Sequence, residues 1–172
     1  IFFKVLKYFE DGNIEFLVET PWGKFQAASK IESEFNLYNL FLTLPYYQFI
    51  NGDCEDFFAE VENLSLPMGR LNKIEKGNIY IDYAHTPKAL ESVCKCLFKK
   101  KKNKLIIVFG AGGERDKGKR ALMGEVADKY CEKIYITSDN PRNEDPQQIA
   151  NMIVDGIKAV SYTHLTLPTM DS

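Results

Sequence analysis

Three short segments hold residue types whose spacing could do chemistry. Asp139-Asn140-Pro141-Arg142 sets a carboxylate and a guanidinium three positions apart, with a proline between them fixing the local backbone. Such a pair suits a zwitterion: Asp139 can receive an ammonium group while Arg142 grips a carboxylate with two parallel N–H bonds. The same four residues also read as an Asx-type turn leading into a helix capped by Asp145. The second segment, Gly110 to Arg120, is rich in glycine and cations but fails both familiar phosphate patterns. Arg115 stands where the dinucleotide fingerprint needs a glycine, and Arg120 where a phosphate loop needs Ser or Thr to hold Mg²⁺. What remains is Arg115, Lys117, Lys119 and Arg120 at a helix start, either an anion site for phosphate or carboxylate or a solvated charged loop. In the third segment, Asp82-Tyr-Ala-His85, the histidine beside a carboxylate is either ligand-facing or a hydrogen-bonded structural residue.

Bulk properties narrow the partners. The net charge of −2, with Glu114 and Asp116 interleaved among the loop cations, gives no uncompensated positive field for nucleic acid or for an anionic membrane. No apolar run approaches the roughly 20 residues that cross a bilayer, and Ile1 to Tyr8 carries Lys4 and Lys7 without a cleavage pattern behind them. The expectation is a soluble, cytoplasmic chain. Cys54, Cys94, Cys96 and Cys131 show no metal-ligand spacing and read as reduced thiols, and no residue set suggests a metal site.

These segments must be held by elements, and the chain changes grammar near Gly69. Up to Ala28, β-rich runs at 14–18 and 24–27 alternate with turn signals at Asp11-Gly12-Asn13 and Pro21-Trp22-Gly23, as in antiparallel strands. Leu37, Leu40, Phe41 and Leu44 lie on one face of a helix over 36–51 that ends near Pro45, and 53–63 fits a second short helix. After Gly69, strand and helix alternate three times. The strands are 78–81, 105–109 and 133–137, expected to be buried on both faces. Thr86 caps the first helix; the second runs from about Lys119 to Tyr130; the third opens at Asp145. Lys99 to Lys102 and Lys104 offset the first helix's negative end.

Strict alternation predicts an α/β fold with a parallel sheet and right-handed crossovers. Parallel order would bring the carboxyl ends of all three strands, and so all three segments, to one edge of the sheet. Val160 to Ser172 breaks the alternation and resembles a translated sequencing adaptor, so it is read as a non-native tail with no role for His164.

Phe35-Asn-Leu-Tyr-Asn39, Gly69-Arg70, Asp82-Tyr-Ala-His-Thr-Pro87, Val108 to Arg120 and Asp139 to Arg142 occur in the order and approximate spacing of the Mur ligases. The resemblance covers roughly Glu34 to Lys158, and its last three motifs together are highly specific. It implies a Rossmann-like parallel-sheet ligase domain, incomplete at 68–159, preceded over 1–67 by the end of a central ATP-binding domain. It also implies ATP- and Mg²⁺-dependent amide-bond synthesis through an acyl phosphate, with the UDP-N-acetylmuramoyl dipeptide and meso-diaminopimelate as partners. Arg70, Asp82 and His85 resemble nucleotide contacts, while Arg115, Asp139, Asn140, Pro141 and Arg142 resemble the residues that hold the diamino acid. A charge at Arg142 favours meso-diaminopimelate over L-lysine, which has no distal carboxylate. The family's phosphate loop and catalytic lysine would lie before Ile1, so no catalytic residue is assigned here and this piece alone is expected to be inactive. Leu71-Asn72 also departs from the family's usual Met and Glu. Rival readings are an L-lysine-adding ligase, a folylpolyglutamate synthetase-like ligase and a non-catalytic anion-binding α/β module.

Overall fold

The computed structural model describes residues 1–9, 13–31, 33–74, 77–100, 103–159 and 162–165, and the chain divides into two compact units, 1–83 and 84–172. The expected turn residues Asp11 and Gly12, the lysines Lys101 and Lys102, and tail residues 160–161 and 166–172 lie outside the described residues.

In the first unit, β1 (Phe2–Tyr8), β2 (Ile14–Thr20) and β3 (Gly23–Ser29) form an antiparallel meander in chain order. Alternation in β2 does the positioning: Ile14, Phe16 and Val18 are fully buried on one face, and Glu15 and Leu17 point the other way. That face packs on α1 (Glu34–Phe41), α2 (Leu44–Asn51) and α3 (Cys54–Val61) through Leu37, Phe41, Leu44, Phe57, Phe58 and Val61. The helix expected over 36–51 is therefore two helices, and Pro45 opens the second instead of ending the first. A proline in a first turn leaves no needed N–H unmet, and the break at Leu42-Thr43 is stabilised where Thr43 Oγ1 donates to the Leu40 carbonyl at 2.7 Å. Asp53 caps α3, its Oδ1 accepting the Glu55 N–H at 2.8 Å.

The first of the three expected parallel strands is not part of a parallel sheet. Tyr80–Ile81 (β5) pairs antiparallel with Asn72–Lys73 (β4), Asn72 facing Ile81 and Lys73 facing Tyr80. Gly77, just before β5, has φ 118°, a backbone that glycine adopts most readily. A partner only a few residues away costs little chain entropy to reach, so the local hairpin wins over distant pairing.

In the second unit the α/β grammar holds. Pro87–Lys100 (α4), Ile106–Phe109 (β6), Gly118–Tyr130 (α5), Lys133–Thr137 (β7), Pro146–Val154 (α6) and Tyr162–Leu165 (β8) follow one another, and β6-β7-β8 is a parallel sheet in that order. The tail, expected to break the alternation, extends it at Tyr162–Leu165, where β-prone residues pair with the otherwise open edge of β7. Leu90 and Cys94 of α4, Met123 and Ala127 of α5, and Ile149 and Ile153 of α6 share one core with Phe109, Ile134 and Ile136. Burial on both faces does not hold for β6: Ile106 and Val108 are 53% and 60% exposed, because the three helices share their core with the opposite face. Thr86 Oγ1 accepts the Ala89 N–H at 3.3 Å and Asp145 Oδ1 the Gln147 N–H at 3.0 Å, so both expected caps are present.

Candidate functional site

β6 and β7 are parallel neighbours, so the chain leaves both at the same sheet edge. The loop after Phe109 and the loop after Thr137 meet there. Their fit requires glycine. A Cβ at Gly110 would collide with the Thr137 carbonyl, and one at Gly113 with the Pro141 carbonyl. Contact is sealed by hydrogen bonds across the seam. The Gly113 N–H donates to the Asn140 carbonyl at 2.8 Å, and Arg142 Nη1 donates to the Gly113 carbonyl. The Glu114 N–H donates to Glu144 Oε1 at 2.5 Å, and Asn143 Nδ2 to Glu114 Oε1 at 2.6 Å.

Two residues in this seam, Glu114 (φ 52°) and Arg142 (φ 50°), hold the left-handed backbone that side chains rarely adopt. Both are fixed from outside their own peptide: Glu114 by Glu144 and Asn143, and Arg142 by Gly113 and by its own N–H donating to Asn140 Oδ1 at 3.2 Å. Strained backbone held by several independent contacts is a common mark of a preorganised site.

Asp139 and Arg142 converge. The open side of Gly112 has Arg142 Nη1 at 3.7 Å and Asp139 Oδ2 at 3.9 Å from a single point, so acid and guanidinium flank one glycine. The Asp139 carboxylate is exposed and takes no hydrogen bond or ion pair among the described residues. The turn-and-cap reading of the segment is present in the structure. Asn140 makes the Asx-type turn and Asp145 the helix cap, while Asp139 and Arg142 both stand beside Gly112. Pro141, half-buried, offers its carbonyl to the Glu144 N–H at 3.0 Å. Arg115 follows the tethered Glu114 directly, is exposed, and has no partner among the described residues.

The other cations of the glycine-rich loop are committed elsewhere. Arg120 is fully buried: its Nη1 and Nη2 each meet a Glu144 oxygen at 2.9 Å, and Nη2 also donates to the Gly112 carbonyl at 3.2 Å. Lys117 lies 3.4 Å from Glu144, and Lys119 Nζ donates to the His85 carbonyl at 3.0 Å. Asp116 Oδ1 accepts the Gly118 N–H at 2.9 Å, occupying the helix start. An anion site built from all four cations is therefore corrected to Arg115, because Glu144 engages Arg120 and Lys117 and the His85 carbonyl engages Lys119.

Glu144 is the residue that sequence reasoning missed. The Arg120 hydrogen bonds, seconded by the Glu114 N–H, hold its carboxyl down at about 2. Its signal in the sequence is faint. An arginine on the apolar side of α5 needs a buried acid, but Glu114, Asp116 and Glu144 are all candidates until the loops are folded together.

Arg70 and Asp82 belong to the first unit and His85 to the second. Asp82 Oδ2 accepts the Leu71 N–H at 2.8 Å, stabilising Leu71 at φ 54°, and the Tyr83 N–H donates to the Gly69 carbonyl at 2.8 Å. The exposed Arg70 guanidinium lies 5.6 Å from the centre of the Tyr83 ring. His85 is exposed, and its carbonyl receives Lys119.

The acid and the two guanidiniums thus lie on the loops after parallel strands, the edge at which open α/β domains bind their ligands. The profile of the family described as Mur ligase, glutamate ligase domain, matches residues 69–168, and the chain belongs to the Mur ligase family. It is 37% identical over 166 residues to the UDP-N-acetylmuramoyl-L-alanyl-D-glutamate–2,6-diaminopimelate ligase of Prochlorococcus marinus subsp. pastoris, covering 91% of this chain and 32% of that protein. The ligase of the same name from Chlamydia trachomatis serovar D is 44% identical over 143 residues, 80% of this chain and 29% of the relative. The chain thus spans about a third of the length of the curated relatives it matches. A solved structure of a ligase with that name superposes with a TM-score of 0.57 at 34% identity, covering 89% of this chain and 32% of that one. Folylpolyglutamate synthase of Mycobacterium tuberculosis complexed with ADP superposes at 0.73 with 19% identity over 94% of this chain and 38% of that one, which shows a shared fold. No helix among the described residues is long and apolar enough to cross a membrane.

Proposed function

We propose that this chain is the amino-acid-holding part of a ligase that adds meso-diaminopimelate to UDP-N-acetylmuramoyl-L-alanyl-D-glutamate with ATP. The observation that carries the reading is the Asp139 carboxylate and the Arg142 guanidinium flanking Gly112, with Arg115 on the adjoining loop. Relatives at 37% and 44% identity that bear this ligase's name support it.

In this reading Asp139 receives an ammonium group, and Arg142 and Arg115 receive carboxylates, so that the reacting amine is presented while the rest of the substrate is held. Arg142 keeps guanidinium N–H groups beyond the one spent on Gly113. Asn140 and Pro141 shape the turn that aims it. L-lysine has the same reach but leaves one guanidinium without a carboxylate, which argues for the diacid.

ATP would activate the acceptor carboxylate as an acyl phosphate, whose leaving group the amine displaces. Arg70, exposed and backed by Tyr83, suits a phosphate. Asp82, tied to the Leu71 amide, fits a positioning role for that segment better than a direct nucleotide contact. His85 offers an exposed ring for the nucleotide. Mg²⁺ would accompany the ATP and neutralise its phosphates. We assign 1–67 to the end of the ATP-binding domain, 68–159 to the amino-acid domain and 160–172 to a non-native extension; the family match beginning at residue 69 supports the first boundary.

The test is phosphate release by the full-length protein supplied with ATP, the UDP-linked dipeptide and one amino acid at a time. Release that requires meso-diaminopimelate is expected. Equal release with L-lysine or with glutamate would overturn the assignment.

A further inference from the structure

The residues that would touch the ligand do not hold the amino-acid loops by themselves. Beneath them, Glu144 receives Arg120 on both carboxylate oxygens at 2.9 Å and, on Oε1, the Glu114 N–H at 2.5 Å. Arg120 in turn donates to the Gly112 carbonyl, the glycine flanked by Asp139 and Arg142. Glu144 therefore reaches both loops at once: it belongs to the second loop, and it grips the first at Glu114 directly and at Gly112 through Arg120. Arg120 is fully buried, on α5, whose position is set by the core and not by the loops. Its Nε lacks a partner, so the guanidinium is oriented by Glu144 and the Gly112 carbonyl, with a lesser contact to Met152.

We infer that Glu144 is the positioning residue of the amino-acid site, fixing the left-handed Glu114 so that Arg115 stands on the same rim as Asp139 and Arg142. The inference rests on the reading of those three as the ligand-holding groups. Geometry supports an action through the Glu114 amide in particular. Releasing that N–H would let position 114 leave a conformation that a non-glycine residue adopts at a cost, and Arg115 would move with it.

The experiment uses the whole chain in two double variants that avoid leaving a buried unpaired guanidinium. Arg120→Met/Glu144→Ala removes the clamp and the acceptor; Arg120→Met/Glu144→Gln restores a carbonyl oxygen for the Glu114 N–H. Amide hydrogen exchange is read at Gly113, Glu114 and Arg115 without ligand, and meso-diaminopimelate affinity is then measured by calorimetry. With alanine, exchange at Glu114 should rise and affinity should fall by about tenfold or more, while core amides of α5 and β7 stay near wild type; glutamine should recover most of both. Unchanged exchange at Glu114 in the alanine variant, or equal behaviour of the alanine and glutamine variants, would overturn the positioning role. Absent binding by the wild-type chain, with the exchange response intact, would instead overturn the ligand assignment and leave the clamp standing.

Discussion

The Glu144 carboxylate and the buried Arg120 guanidinium meet through two hydrogen bonds of 2.9 Å, 24 residues apart in the chain. This pair joins the end of one sheet-edge loop to the helix that follows the other. The first consequence concerns stability. Removing one partner of a buried pair strands the other's charge, whereas removing both does not. Glu144→Ala should therefore lower the melting temperature by about 5 °C or more, and further than Arg120→Met/Glu144→Ala does. Differential scanning calorimetry of the two decides it; a double variant less stable than the single would contradict the account.

The same carboxyl gives a pH signature. Arg120 and the Glu114 N–H depress it from an ordinary 4.5 to about 2 in the folded protein. Its contribution to stability is complete above 4.5 and is lost as pH falls toward 2, because the unfolded chain binds the proton first. Urea midpoints measured across that window should fall more steeply for wild type than for Arg120→Met/Glu144→Gln, which has no carboxyl at 144. Parallel slopes would remove Glu144 as the cause.

Gly113 offers a steric test. An alanine Cβ there would strike the Pro141 carbonyl, so Gly113→Ala must push the two loops apart. Overpacking of this kind costs about 1–3 kcal/mol. Chemical denaturation should show that loss, and the Asn140 and Arg142 amide resonances should shift, with those of α4 unchanged. An alanine variant as stable as wild type would mean that the seam is looser than described.

A smaller effect is expected at the start of α6. Asp145 Oδ1 accepts the Gln147 N–H at 3.0 Å, and Asp145→Ala should cost about 1 kcal/mol. Asp145→Asn should cost much less, since asparagine keeps an acceptor oxygen. Denaturation midpoints of the two variants check the order.

Much of this was legible in the sequence where local rules decide. Thr86 and Asp145 lie where caps belong, β2 alternates as a half-buried strand must, and the runs at 105–109 and 133–137 became parallel strands. The failures came where a non-local or competing choice decides. Pro45 can end a helix or begin one, and only packing of Leu44 into the core selects the second. Tyr80–Ile81 carries β-prone residues that fit either a hairpin or a parallel strand, and the near partner won. At the site, Asp139 and Arg142 were visible because only two residues separate them. Glu144 was not, because its partners Arg120 and Glu114 come from a segment joined to it only by the fold.

The most direct measurement of the central claim is an NMR titration of the isotopically labelled chain with meso-diaminopimelate and, separately, L-lysine. The account predicts shifts concentrated at Asp139, Asn140, Arg142 and Arg115, and an affinity for the diacid about 10- to 100-fold above that for lysine, the worth of a charge-assisted carboxylate contact. Equal affinities, or shifts that leave those four residues still, would contradict it.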